Sequence, residues 1–271
     1  MKKKLSLLAV LLFLAIFSVI LAGIFWLRPS LENQVKSCID EINASGASVS
    51  IDYDRNALTV SPVTRTVHFK SVILTSNEAT MPAKVVMDNL TVQVATDMLL
   101  LDQNNLPDNG TVLLASHISI DNLSVTLPDC TLSVEHHEMD NVTCGASPLR
   151  NVVGNQEMPD IQAIVSQLGA ERSESRNVLY SMERSTRRLA IARILVQDWK
   201  GSDMGQCALG SIDLADQTGA SVQIAQLQME KVHLPDARTL SRIRQMAATD
   251  NPEATLPAIS ELLTGETVPP V

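Results

Sequence analysis

Aromatic side chains are nearly missing from this sequence: two Trp, two Tyr and four Phe, 3% of 271 residues. A stacking platform for single-stranded nucleic acid needs more rings than that. Excess positive charge is missing too. Lys and Arg number 21 against 30 Asp and Glu, a net charge of −9. That argues against the basic footprint of a duplex binder, so no nucleic acid is expected as a partner. There is no Gly-x-Gly-x-x-Gly, no phosphate loop and no Gly-x-Ser-x-Gly elbow. No cofactor and no nucleophile is therefore nominated. What is present is a chain of 45% apolar residues, long enough for one large or two small domains.

One hydrophobic run is long. Lys2, Lys3 and Lys4 precede an uncharged stretch from Leu5 to Leu27, 23 residues. A bilayer core of about 30 Å needs roughly 20, whereas the apolar core of a cleaved signal peptide is about 7–15. We read residues 1–27 as an uncleaved signal anchor, with a cleaved signal peptide as the alternative. The lysines place the N-terminus in the cytoplasm. The expected location is a bacterial inner membrane, crossed once, with the rest of the chain periplasmic.

Beyond the anchor, one short pattern recurs. In Ile118-Ser119-Ile120-Asp121-Asn122-Leu123-Ser124-Val125, apolar and polar residues alternate as on a strand with one buried face. The phase then slips, because two polar residues stand where alternation allows one. Lys70-Ser71, Asp88-Asn89, Asp140-Asn141, Gln197-Asp198 and Glu230-Lys231 mark the same slip elsewhere. A two-residue hairpin would produce it, but such turns favour Asn-Gly or Asp-Gly, and none of these pairs contains Gly. We favour a β-bulge, which bends the strand and keeps both halves facing one side. Several such strands side by side would curve a sheet.

The expected fold is α+β and β-dominated: an N-terminal transmembrane helix, then a curved, bulged antiparallel sheet with a helical insert and C-terminal helices. The expected segments are the anchor (1–27), a juxtamembrane helix (28–46), a β-rich segment (47–146), a helical insert (147–188), a second β-rich segment packing with the first (189–236), and helices with a tail (237–271). Leu31, Val35, Ile39 and Ile42 set the juxtamembrane helix. Val49–Ile51 and Leu58–Val60 read as a hairpin around Asp54-Arg55-Asn56. The insert rests on Ile161, Ile164, Val165 and Leu168 at helical spacing, resumed by Val178, Leu179 and Met182.

Candidate chemistry is thin. Glu135-His136-His137-Glu138 groups metal-ligand types, but a strand puts two on each face, and a site needs three or four converging ligands. A solvated hairpin tip is the expected reading, and no metal is assigned. If Cys130–Cys144 is a hairpin turning near His137, then Cys130 faces Cys144 and a disulfide can close there. Buried single thiols are the alternative. Arg184, Arg187, Arg188 and Arg193 read as a solvated helix face. The apolar side of the slipped strands, Leu90, Val92, Ile118, Ile120, Leu123, Val125, Val232 and Leu234, is either a groove or a closed core.

Met87-Asp88-Asn89-Leu90-Thr91-Val92, then Met98-Leu99-Leu100-Leu101, then Ile118 to Val125 resembles the AsmA-like periplasmic proteins. Their pattern repeats an apolar strand with Asp-Asn-Leu, a short Leu-Leu turn and another such strand. The Lys-rich anchor followed by a helix leading into strands is similar too. The resemblance covers about residues 83–127. It implies a curved sheet with an apolar groove and a part in lipid movement or outer-membrane assembly. Three functions follow as expectations: a non-enzymatic envelope protein that binds lipid, an envelope scaffold that binds proteins through a closed core, or an envelope hydrolase. Expected partners are the inner membrane through residues 5–27, lipid and other envelope proteins.

Overall fold

The computed structural model describes residues 31–44, 49–61, 63–76, 83–96, 107, 110–128, 130–149, 164, 166–182, 185–215 and 221–233. One helix, α1 (Leu31–Ala44), precedes ten strands: β1 (Val49–Asp52), β2 (Thr59–Ser61), β3 (Thr66–Ser76), β4 (Lys84–Val94), β5 (Thr111–Leu127), β6 (Cys130–Gly145), β7 (Leu168–Met182), β8 (Ser185–Lys200), β9 (Asp203–Ala215) and β10 (Ser221–His233). All lie in one sheet in the order β1-β3-β4-β5-β6-β7-β8-β9-β10, with β2 also on β3. Every pairing is antiparallel. The two β-rich segments are thus one continuous meander.

The phase slip is a kink inside each strand. In five of the six slips read from the sequence, all but Asp88-Asn89 on β4, the second residue adopts the left-handed conformation: Ser71, Asn122, Asn141, Asp198 and Lys231 all have φ near 52°. Asn177 and Ser211 do the same. No extra residue is inserted relative to the neighbouring strand. Asp121 pairs with His136 and Leu123 with Val134, so Asn122 faces Glu135 and the register runs on unchanged. This corrects the expectation of ordinary bulges, in which two residues oppose one. Every strand slips where its neighbour slips, so the sheet folds along lines.

There are two such lines. In the first, the left-handed residues are Ser71, Asn122, Asn177 and Ser211, on β3, β5, β7 and β9. In the second they are Asn141, Asp198 and Lys231, on β6, β8 and β10. Within a line they occupy strands that run the same way. A left-handed non-Gly residue is uncommon, and Asn and Asp tolerate it best. Three asparagines also bridge the line to the strand opposite. Asn122 donates to Asp88 at 2.8 Å, Asn177 to Glu135 and Asn141 to Glu171. Opposite Asp198 stands Gly205, where an added Cβ would come within 3.0 Å of the Asp198 Cβ.

The core covers one side of the first half of the sheet. Val35 and Ile39 of α1, one helical turn apart, belong to one buried cluster with β3, β4 and β5 residues such as Leu74, Met87 and Ile120, all 1% exposed or less. The Asn43 amide fixes α1 to β1, donating to the Ile51 carbonyl and accepting from its N–H, both at 2.8 Å. Tyr53 meets Phe69 edge to face at 5.6 Å.

Three expectations are overturned. The helical insert does not extend over 168–188, since 168–182 is β7 and β8 begins at Ser185. Its inner positions include Ala170, Ser173 and Ser175, which carry no apolar alternation to read. Residues 146–149 form a helical turn, and Leu149 is buried. β1 and β2 do not pair with each other; both lie along β3. Cys130 and Cys144 are the two ends of the single strand β6, with no turn at His137. They sit roughly 40 Å apart along it, while a disulfide needs Cα atoms within about 7 Å. Both are free thiols, as is Cys207.

Among the described residues no helix is long and apolar enough to cross a membrane. The anchor expected over 1–27 and the helices expected over 237–271 lie outside the described residues.

Candidate functional site

The two kink lines divide the inner face into three ribs. The middle rib carries two inner side chains per strand: Leu90 and Val92 on β4, Ile118 and Ile120 on β5, His137 and Met139 on β6, Ser173 and Ser175 on β7, Ile194 and Val196 on β8, Cys207 and Leu209 on β9, Leu227 and Met229 on β10. None of these middle-rib positions holds Asp, Glu, Lys or Arg. The face is an uncharged surface one strand-ladder deep.

Its burial changes along the sheet. Ile118 and Ile120 are fully covered. Ile194, Val196 and Leu209 are partly open. On β9 and β10, Leu214 is 44%, Val222 59%, Ile224 39% and Leu227 40% exposed. The filled core thus passes, across the row of His137, Ser173 and Ser175, into an open apolar surface, and among the described residues β10 pairs with β9 alone.

Of the residues singled out by pattern, Leu90, Val92, Ile118, Ile120, Leu123 and Val125 come together in the filled part. Val232 is partly buried on β10, and Leu234 lies outside the described residues. The open part, Ile194, Leu214, Val222, Ile224 and Leu227, is not among the eight; Val222–Ile224 and Leu227–Met229 carry the alternation that could have named it.

His137 is the residue that sequence reasoning misplaces. Two slips in one strand, at Glu135-His136 and Asp140-Asn141, turn His137 inward. It pairs with Ile120 on one side and Ser175 on the other. Nδ1 lies 2.8 Å from the Ser175 hydroxyl. Nε2 makes no hydrogen bond among the described residues. Burial, reinforced by neighbouring His136, pushes its pKa down to about 4, so the ring is neutral near pH 7. No carboxylate of the described residues shares this face, so among them the His–Ser pair has no third group of a nucleophilic triad.

The charges sit on the outer face of the same strands. Glu174 is 1% exposed and takes bonds from three guanidinium groups. Arg193 donates at 2.8 Å, Arg176 at 2.7 Å, and Arg172 also donates. Hydrogen bonding from Arg193 holds the Glu174 pKa down at about 2, against the opposing effect of burial. Arg172 also reaches Glu138 at 2.8 Å and Asp140 at 3.0 Å. Burial pushes the Asp140 carboxyl up, but bonds from His117 and Arg172 outweigh it and hold it below its ordinary value. His136 bonds Asp121 at 2.7 Å on this outer side. Arg193, expected on a helix face, is thus one arm of a strand network. His136 and His137 point to opposite faces of β6, so the Glu135–Glu138 run does not converge.

Outside this network, Thr59, Thr66, His68, Thr91 and Gln93 line a shallow outer hollow of about 530 Å³. Its histidine is satisfied by Thr91 at 2.8 Å.

In comparisons with known proteins, no family model matches this chain and no curated protein matches it.

Proposed function

We propose that this chain is a membrane-anchored, non-enzymatic envelope protein whose bent sheet holds the acyl chain of a lipid on the open part of its inner face. The observation that carries the reading is the run from the buried Ile118–Ile120 row to the exposed Leu227–Ile224 row on one uncharged surface. Each methylene moved from water onto such a surface stabilises by about 0.8 kcal/mol, so a long chain gains several kcal/mol. The uncharged run Leu5–Leu27, behind Lys2, Lys3 and Lys4, supplies the anchor in this reading, and the likeness to AsmA-like proteins agrees with it.

The two ends of the surface give the test. In the full chain, Ile120→Asp places a charge in the filled core and abolishes folding. Leu227→Asp leaves protease resistance intact and removes lipid that co-purifies in native mass spectrometry. A wild-type protein that carries no lipid sinks this reading, as does a Leu227→Asp protein that carries as much as wild type.

Among the described residues β10 pairs on one side only, which favours a second reading, a scaffold that pairs this edge with another envelope protein. Its mark is a partner crosslinked from β10 in cells, with no lipid retained.

A further inference from the structure

The middle rib has one polar interruption. His137, Ser173 and Ser175 stand together on β6 and β7, framed by Ile118, Ile120, Ile194 and Val196 in the flanking strands. They stand where the filled part of the face gives way to the open part. A plain hydrocarbon surface gains nothing from hydroxyls here, because a buried polar group costs free energy unless it is bonded. Ser175 is bonded to His137 Nδ1, which leaves Nε2 as a further hydrogen-bonding atom. Ser173 adds a hydroxyl one inner position along β7.

We propose that His137, Ser173 and Ser175 form a polar seat that receives the ester and hydroxyl groups of an uncharged acylglycerol, while its acyl chain lies over β8 to β10. The proposal rests on the lipid-holding reading above and names the ligand class for it. A neutral imidazole with two hydroxyls donates and accepts but carries no charge. An ester carbonyl beside a free hydroxyl presents the complementary set. Among the described residues, a phosphate or carboxylate headgroup finds no cation at this depth. The nearby guanidinium groups, Arg172, Arg176 and Arg193, are all on the outer face and already engaged by Glu174. The seat thus selects against charged headgroups as well as for hydrogen bonding.

The test uses the full chain in its membrane with two clickable diazirine probes of equal chain length, a monoacylglycerol and a plain alkane. Labelled peptides are mapped by mass spectrometry, so labelling of residues 1–27 is scored separately. In wild type, peptides from 168–233 take the monoacylglycerol about fivefold to tenfold better than the alkane, the scale of one or two hydrogen bonds. His137→Leu and Ser175→Ala bring the ratio close to one while alkane labelling holds. That unchanged labelling shows that the sheet is still folded. His137→Gln, which keeps a donor and an acceptor, restores much of the preference. Equal labelling by both probes in wild type overturns the seat and leaves the apolar surface standing. Absence of label from either probe over 111–233 overturns the surface itself.

Discussion

At the scale of single residues, the tightest constraint lies on the outer face, at Glu174. Its carboxylate is buried under three arginines, and its pKa near 2 lies well below the ordinary 4.5. A depressed folded pKa adds stability above the unfolded value and loses it as pH falls through the folded one. Stability from Glu174 is therefore complete above about pH 5 and gone near pH 2. Arg176 and Arg193 stay about half exposed, so solvent screening trims the contribution to about 2 kcal/mol. Denaturant unfolding at pH 7 and pH 3 should show Glu174→Gln less stable at pH 7 by that amount, with the gap narrowing at pH 3. An equal gap at both values would mean that packing rather than charge is lost. A second residue gives a simpler expectation. Burial pushes the Cys144 thiol up to about 12, so almost none of it is thiolate at neutral pH. Cys144 should resist iodoacetamide in the native protein and react once it is unfolded, and peptide mapping should find it unpaired with Cys130.

At the scale of the element, the kinked strand is the unit. A left-handed Asn at the line bends its own strand and bonds the next one, as Asn122 does to Asp88. Asn122→Val should cost about 1–2 kcal/mol, because a β-branched residue resists positive φ. Asn122→Gly, which accepts that φ, should cost less, about as much as Asp88→Ala. Equal losses for Val and Gly would show that the hydrogen bond alone matters. The Asp-Asn-Leu slips are legible in the sequence because apolar residues flank them on both sides. Alternation alone places β3, β4, β5 and much of β8 and β10. β7 hides for the same physical reason. Its middle inner residues are serines and its slip, Arg176-Asn177, sits in a charged run that reads as a helix surface. The error propagates to the site. With β7 unread, β6 looks like a hairpin, His137 looks solvated and Cys130 seems to face Cys144. A kink line is a property of neighbouring strands together, and a single strand carries only half of it.

At the scale of the whole molecule, the sheet is asymmetric. It is buried at the β3–β5 side, with α1 against β1 and β2, open at the β9–β10 side, and continuous between them. A ladder amide exchanges through the cheapest opening that frees it. In β4 and β5 that opening must expose Ile118, Ile120 and Leu90, all 1% exposed or less. In β10 it exposes side chains that already face solvent, and among the described residues one neighbouring strand, β9, holds the ladder. Hydrogen exchange should therefore rise stepwise from β5 to β10, with β4 and β5 exchanging at the cost of global unfolding. Truncations should follow the same gradient. Ile120→Ala should cost about 2–5 kcal/mol and speed exchange in every strand. Leu227→Ala should cost well under about 1 kcal/mol and act on β9 and β10 alone. Uniform protection across the ten strands, or a Leu227→Ala loss that spreads to β4, would mean that the open rows are part of the core. The inner face would then have no free surface left to receive a ligand.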